Sequence, residues 1–201
     1  MWDQRYSGDE YAYGIEPNQF LESVANRIPK GKVLCVAEGE GRNAVYLASQ
    51  GYDVAAVDFS SVGLEKSHRL ASHFGVKIST HLSDLADYKF EGQSWEAIVS
   101  IFCHLQPDLR KLVHSRIVRA LSPGGVLVLE AYTPQQLTYG TGGPPAVELL
   151  VTLEELRVDF SGLEFVIGRE VERQVVEGSY HLGPSAVVQI LARKPPVATR
   201  A

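Results

Sequence analysis

The sequence contains little cysteine and no long apolar run, and both absences narrow what the chain can be. Its two cysteines, Cys35 and Cys103, lie in apolar segments without a CxxC partner, so neither a disulfide framework nor a zinc module is expected. No apolar run approaches the roughly 20 residues of a membrane span, and the first residues carry charges where a signal peptide needs an apolar core. We therefore expect a cytoplasmic protein without metal or membrane contact.

Excess positive charge is also missing. The chain has 19 lysines and arginines against 24 aspartates and glutamates, a net charge of −5. Nucleic-acid-binding domains usually carry a basic face, so no nucleic acid partner is expected. With 201 residues, 45% of them hydrophobic, the chain is predicted to form one domain at 1–194 and a disordered tail at 195–201, as a monomer or homodimer.

Short β-branched apolar runs alternate with segments of helical period from residue 33 onward. This pattern is typical of an α/β fold with a parallel sheet and crossover helices. The third helix is predicted to end at the Ser-Pro-Gly-Gly run of 122–125, which supplies helix-breaking residues. The predicted strands are 33–37, 54–57, 77–81, 97–101 and 126–131, and the predicted helices are 43–50, 61–74 and 108–121.

The pattern changes after residue 131. Residues 134–145 contain three glycines and three prolines, an irregular stretch that compact domains seldom keep without a use, so 134–150 is a candidate lid. A short helix is predicted at 153–159. Two β-rich runs follow at 164–176 and 186–192, and the short loop between them predicts an antiparallel pair.

A strand, a glycine turn and a helix follow one another around residue 40. Gly39, Gly41 and Ala44 have the GxGxxA spacing of a nucleotide-binding turn, in which glycines let the backbone pass close to a ligand. Asp58 ends the next predicted strand, where a carboxylate can accept both hydroxyls of an adenosine ribose. Together these residues favour an adenosine cofactor.

Charge decides which adenosine cofactor is favoured. Glu38 and Glu40 lie where a pyrophosphate would bind, and like charges about 4 Å apart repel by roughly 1–4 kcal/mol. NAD is therefore disfavoured, although the spacing leaves an NAD-dependent oxidoreductase as an alternative. S-adenosylmethionine (SAM) presents an ammonium and a sulfonium, which a carboxylate attracts. We expect Glu38 to contact the ligand, whereas Glu40 fits ligand contact and a solvated loop charge equally well.

Asp84 is a further acidic candidate, directly after the third predicted strand. Its carboxylate could accept from an adenine amino group while the Leu85 amide meets the ring. A helix N-cap would suit Asp84 just as well. Both interpretations stay open.

In this order, these residues resemble the class I SAM-dependent methyltransferases, and more narrowly the tellurite-resistance and thiopurine methyltransferase-like branch. The opening residues match that branch's WxxRY…YG…PN pattern through Trp2, Arg5, Tyr6, Tyr13, Pro17 and Asn18. The resemblance implies a Rossmann-like seven-stranded sheet in the order 3-2-1-4-5-7-6, with strand 7 antiparallel, helices on both faces, and a leader at 1–30 over the cofactor site. The implied SAM-binding residues are Glu38, Gly39, Glu40, Gly41, Asn43, Asp58, Phe59, Asp84, Leu85 and Ile101.

The chain departs from that pattern at two positions. Cys35 stands where many members have an acid, and Ala37 stands where they have their first glycine. Glu38 is expected to take over the contact to the methionine end of SAM. If it does not, a non-catalytic SAM-binding or regulatory domain becomes the alternative.

The acceptor side is the least determined part of the sequence. Methyl transfer needs alignment and water exclusion more than a dedicated acid or base. The resemblance implies a small acceptor: a thiol, a thiopurine-like compound or a chalcogen oxyanion. His104, after the fourth strand, and His181, in the loop between the last two strands, fit either a general base or a packed histidine. His114 is expected at the surface. The other acceptor-side candidates are Tyr13, Tyr132, Tyr139 and Tyr180.

Overall fold

The computed structural model describes residues 2–90, 92 and 94–196, and within them one seven-stranded sheet runs in the order β3-β2-β1-β4-β5-β7-β6. Strands β1 to β5 are parallel, and β7 pairs antiparallel with both β5 and β6. This confirms the predicted fold class and strand order. The strands are β1 Lys32–Val36, β2 Asp53–Asp58, β3 Ser79–Leu82, β4 Trp95–Ile101, β5 Leu121–Tyr132, β6 Glu164–Glu177 and β7 His181–Arg193.

Three of the described helices begin at a residue whose side chain caps the helix, Asn18, Ser60 or Thr152. Ser60 accepts from the Gly63 amide at the start of the fourth helix, and Thr152 and Glu155 form a reciprocal capping box at the sixth. The α-helices are α1 Trp2–Tyr6, α2 Gln19–Val24, α3 Arg42–Ser49, α4 Ser61–His73, α5 Pro107–Ala120 and α6 Leu153–Asp159, with 3₁₀ helices at Ala25–Arg27, Pro134–Thr138 and Val147–Leu149.

Alternate residues of each central strand enter cores on opposite faces of the sheet. On β1, Leu34 and Val36 join the core covered by α5 and α6, whereas Val33 and Cys35 join the core covered by α2 and α3. Helices therefore cover both faces, as expected. Cys35 is fully buried and serves as a small core hydrophobe.

Two connections differ from their predictions. Strand β5 begins at Leu121 rather than 126: Trp95 pairs with Leu121 but Ala97 pairs with Val126, so the Ser-Pro-Gly-Gly run forms a bulge inside the strand. A bulge accommodates a proline that cannot donate to the ladder. Strands β6 and β7 are also longer than predicted, which leaves the three-residue turn 178–180 between them and moves His181 from a loop to a strand. In the predicted tail, residues 197–201 lie outside the described part of the chain.

Candidate cofactor and acceptor site

The carboxyl ends of β1, β2, β4 and β5 meet at one edge of the sheet because these strands are parallel. This is the edge at which open α/β sheets bind ligands. The glycine loop (38–43) follows β1, Asp58 ends β2, and Phe102 to His104 follow β4. The topology thus brings the predicted cofactor residues and the predicted acceptor residues to the same edge.

The glycines of the loop are required by packing within the protein. Gly39 has φ 60° and Gly41 has φ 92°, conformations that other residues rarely adopt. A Cβ at Gly39 would lie 2.6 Å from Tyr6 Oη, and one at Gly41 would lie 2.4 Å from Ser67 Cβ. The close approach predicted for a ligand is made here by the leader and by α4.

Asp58 joins the loop to the end of β2. Its Oδ2 accepts from the Gly39 amide and its Oδ1 accepts from the Ser60 amide, both at 2.8 Å. Burial raises the pKa of Asp58, while these amides oppose that shift. A carboxylate has about four acceptor positions, so both oxygens can still accept from ribose hydroxyls. The neighbouring Phe59 ring is 57% exposed and leaves an apolar face beside that carboxylate.

Glu38 is half-buried at the start of α3. Its Oε1 accepts from the Ala44 amide at 2.7 Å, which satisfies one of the free amides of the helix N-terminus. Burial raises the pKa of Glu38 to about 7, against the lowering effect of the Ala44 amide and the charge of Arg42. Glu38 therefore already has a structural partner, and contact with SAM would use the acceptor positions that the Ala44 amide leaves free.

Glu40 is buried, so it is not a solvated loop charge. Its Oε1 lies 2.6 Å from Nζ of Lys66, a lysine of α4 whose side chain is equally buried. Glu40 therefore serves to join the glycine loop to α4. Any ligand contact of Glu40 would have to compete with this ion pair.

Of the remaining cofactor candidates, Asp84 is exposed, whereas Leu85, Asn43 and Ile101 are buried. The Oδ1 of Asp84 accepts from the Ala86 amide, so Asp84 caps a tight turn rather than a helix. Asn43 Oδ1 accepts from the Asn18 amide of the leader. Asp58, Phe59 and Glu38 thus lie around the glycine loop, whereas Asp84 follows the edge strand β3.

An aromatic cluster lies at the same edge, formed by Tyr13, Phe102, His104, Tyr132 and His181. The centroid of the Phe102 ring lies 4.6 Å from that of Tyr132 and 4.7 Å from that of His181. The His104 ring stacks on Tyr132 with a centroid distance of 5.6 Å, and the Tyr13 and His181 centroids are 4.5 Å apart. Phe102 has φ 53°, a left-handed conformation that is strained for an aromatic residue. The structure therefore brings all three predicted catalytic residues, Tyr13, His104 and His181, into one cluster.

Three polar atoms of this cluster are buried and, among the described residues, make no hydrogen bond of good geometry. They are His104 Nε2, Tyr132 Oη and His181 Nδ1. His104 Nδ1 faces the Leu149 carbonyl at 3.2 Å, which fixes Nε2 as the unprotonated nitrogen. Burial lowers the pKa of His104 to about 4 and also lowers that of His181. Both histidines are neutral at pH 7. His104 Nε2 is unpaired among the described residues and is available to a ligand, whereas His181 Nδ1 lies 3.9 Å from Glu177 Oε2.

The candidate lid covers part of this cluster. A Cβ at Gly143 would lie 2.8 Å from the Tyr132 ring, and one at Gly142 would lie 3.2 Å from Tyr132 Oη. Gln136 anchors the segment, because its side chain is buried and pairs with the Ala186 amide and the Gly142 carbonyl. The glycines of 134–150 therefore lie against the aromatic cluster.

A buried ionic network connects the glycine loop and the leader to strands β5 and β6. The sequence did not predict it. Glu177 accepts from Arg42 of the glycine loop, from Asn18 of the leader and from Arg173. Glu130 is fully buried and accepts from Arg173, Asn18 and Gln189. Asn18 stood in the leader pattern, but no local signal pairs Arg42 with a residue 135 positions away.

Two other residues need correction or comment. His114 was expected at the surface but is buried, and its Nδ1 lies 2.9 Å from Asp159 between α5 and α6. Cys103 is half-buried beside the aromatic cluster, and burial raises its pKa to about 12, so it is no thiolate nucleophile at pH 7. In the described part of the chain, no helix is long and apolar enough to span a membrane.

Known proteins with a similar sequence are methyltransferases. Residues 33–125 match the family model described as a methyltransferase domain. An uncharacterized methyltransferase, YbaJ, of Bacillus subtilis is 28% identical over 70% of this chain and 63% of its own length. A probable thiol methyltransferase 2 of Arabidopsis thaliana is 24% identical over 83% of this chain and 70% of its own length. The chain thus spans less than two thirds of the first of these relatives.

Solved structures agree in fold. TehB from Haemophilus influenzae has a TM-score of 0.73 at 20% identity and covers 96% of this chain and 65% of its own. The N-methyltransferase NodS from Bradyrhizobium japonicum, in complex with S-adenosyl-L-homocysteine (SAH), has a TM-score of 0.68 at 14% identity and covers 96% of both chains. Residues 33–125 are thus similar to a methyltransferase domain, and the whole chain shares its fold with these structures.

Proposed function

We propose that this chain transfers the methyl group of SAM to a small acceptor held at the aromatic cluster. The observation that carries the proposal is that the glycine loop with Asp58 and the aromatic cluster lie at one sheet edge, with leader residues packed on both. SAM would supply an electrophilic methyl group on its sulfonium. The chain would supply binding, alignment and exclusion of water.

The residues of the glycine loop fit SAM better than NAD. Asp58 keeps acceptor positions for the ribose, Phe59 is exposed, and Glu38 places a carboxylate against the first amides of α3, where a pyrophosphate would need them free. Glu38 is our candidate for the methionine end, and Asp84 with Leu85 for the adenine. Titration calorimetry with SAM, SAH and NAD tests this assignment: binding of NAD without SAM would support the oxidoreductase alternative instead.

Asp58→Ala should weaken SAM binding by about 1–3 kcal/mol, the range for losing a partner of a charge-assisted hydrogen bond. Asp53→Ala is the matched control, because Asp53 is an exposed carboxylate at the opposite end of the same strand. Calorimetry on both variants checks the assignment. Equal affinities in the two variants would remove Asp58 from the ribose site.

The charges around the aromatic cluster favour a thiol over an oxyanion acceptor. His104 and His181 are neutral, and the guanidinium groups of Arg42 and Arg173 are paired with Glu177. These residues offer an oxyanion little positive charge. The name of the Arabidopsis relative is consistent with this preference.

Arg5 is where an oxyanion would have to be held instead. Its guanidinium lies 4.1 Å from the Tyr180 ring centroid and donates to Tyr13 Oη. Turnover on a panel of thiols, thiopurines and chalcogen oxyanions therefore needs the Arg5→Met variant beside the wild type. We expect the wild type to methylate thiols and Arg5→Met to retain this activity. If the wild type instead methylates oxyanions and Arg5→Met does not, the preferred acceptor is an oxyanion. SAM binding without turnover on any acceptor would favour the non-catalytic alternative.

A further inference from the structure

The buried ammonium of Lys66 contacts three separate parts of the cofactor side. Lys66 is 2% exposed on α4, and its Nζ lies 2.6 Å from Glu40 of the glycine loop. The same ammonium donates to the leader carbonyls of Tyr6 at 3.3 Å, Gly8 at 2.9 Å and Glu10 at 2.7 Å. It also lies 4.9 Å from the Tyr11 ring centroid. One cation thus joins helix, loop and leader.

The leader carbonyls depend on this cation. Carbonyls bent around a single ammonium are held by charge-assisted hydrogen bonds, which are about twice as strong as neutral ones. Tyr11 Oη returns a bond to the Lys66 carbonyl at 3.2 Å, so the contact is made in both directions. Further along, the leader is held at a different place, where the Ser179 amide donates to the Ala12 carbonyl. The leader is also held before Tyr6, where Ser60 Oγ donates to Asp3, and Lys66 supplies the side-chain hydrogen bonds that hold residues 6–10.

This part of the leader lies directly over the glycine loop. Tyr6 is buried, its Oη would touch a Cβ at Gly39, and its ring would touch a Cβ at Gly63 of α4. Because Tyr6 covers the loop, a ligand that uses the loop has to pass residues 6–10. The cation that holds the leader down also holds Glu40 on the other side of Gly39.

We propose that Lys66 is a positioning residue that fastens the leader over the glycine loop and thereby controls entry and release of the cofactor. The control of cofactor exchange rests on the function proposed above, whereas the fastening of the leader does not. Loss of the ammonium should free residues 6–10 and leave the sheet intact.

The Lys66 variants of the test are chosen to avoid an unpaired buried charge. Lys66→Met combined with Glu40→Gln removes both members of the ion pair, so no carboxylate is left buried alone. Arg110→Met is the matched control, because Arg110 is a similarly buried cation paired with Asp159 and Glu155 between α5 and α6. Lys66→Gln with Glu40→Gln keeps a side-chain amide that can donate to the leader carbonyls. This variant replaces the first one if the first does not fold.

Amide hydrogen exchange of residues 6–10 without ligand is the first measurement, and the dissociation rate of SAH by stopped flow is the second. We expect the Lys66 variants to exchange these amides and release SAH at least about tenfold faster, equivalent to about 1.4 kcal/mol. Arg110→Met should lower the melting temperature without either change. Unchanged leader exchange in the Lys66 variants, or an equal increase in Arg110→Met, would overturn the proposal. If the wild type binds no SAH, the proposed function fails, and the exchange comparison still decides whether Lys66 fastens the leader.

Discussion

Ala37 shows the cost of a single substitution at the residue scale. It stands where many class I methyltransferases have a glycine, and it adopts φ 50° directly after β1. Left-handed backbone is unfavourable for a residue with a Cβ, by about 1–2 kcal/mol. The turn after β1 is therefore formed without glycine, the residue that adopts this conformation most easily.

Ala37→Gly should therefore stabilise the protein by about 0.5–1 kcal/mol, since relief of the strained φ exceeds the added entropy of the unfolded chain. Chemical denaturation measures this change. Ala48→Gly, in the last turn of α3, is the control and should destabilise by a similar amount, because there the glycine relieves no strain. A loss of stability in Ala37→Gly would show that the turn does not store this strain.

Glu38 predicts a pH dependence of stability. Its folded pKa of about 7 is above its value in the unfolded chain, so the folded state binds the proton more tightly. The destabilisation caused by ionising Glu38 is absent near pH 4 and grows as the pH rises toward 7. Glu38→Gln should thus match the wild type near pH 4 and exceed its stability at pH 8 by about 1–3 kcal/mol.

Denaturation of wild type and Glu38→Gln across pH 4–8 checks that sign. An equal difference at every pH would mean that Glu38 does not titrate in this range. The same variant should weaken SAM more than adenosine if the Glu38 carboxylate contacts the methionine end. Equal losses for both ligands would leave Glu38 as the cap of α3 alone.

At the scale of elements, the candidate lid offers a matched pair of glycines. Gly143 has φ 83° and a Cβ there would lie 2.8 Å from the Tyr132 ring, whereas Gly140 has φ 62° and open space around it. Alanine at either position strains the backbone, but at Gly143 it also pushes the segment off the aromatic cluster.

Gly143→Ala should therefore lower kcat with the panel acceptor by about tenfold while changing SAM affinity little, as expected for a cover that excludes water. Gly140→Ala should leave kcat near the wild-type value. Steady-state kinetics and calorimetry separate the two effects. Similar kcat losses in both variants would indicate general strain of the segment rather than a lid.

At the scale of the whole molecule, Glu177 joins the last hairpin to the glycine loop. It lies at the end of β6 and pairs with Arg42, Arg173 and Asn18. Although burial opposes ionisation, His181 and the two arginines hold the pKa of Glu177 at about 2. The C-terminal strands are thus fastened to the first βα unit by charge.

Glu177→Gln leaves Arg42 buried without its carboxylate and should destabilise the fold by about 3–5 kcal/mol at pH 7. Because the folded pKa is depressed, the stabilisation is present above the unfolded value near 4.5 and is lost as the pH falls toward 2. The difference between wild type and variant should therefore shrink over that range in denaturation experiments. A difference that is constant with pH would mean that charge is not its origin.

The sequence by itself determined the fold class and the place of the glycine loop at the end of β1. Alternating apolar runs and helical segments are local signals, and Gly39, Gly41 and Asp58 follow strands whose ends must meet in a parallel sheet. The sequence also predicted His104 and His181 as acceptor-side candidates, and in the structure both contact Tyr132. Patterns of this kind are readable because they repeat within a few residues.

Only the tertiary structure decided what the charges and glycines do. Glu40 carries no local sign that its partner is Lys66, and Gly41 none that Ser67 lies against it. Strand order and the turn of the last hairpin bring Arg42 to Glu177 across 135 positions of sequence. Such pairings are set by packing between distant segments. The local sequence pattern therefore predicted where the candidate site lies, but not which of its residues pair with one another.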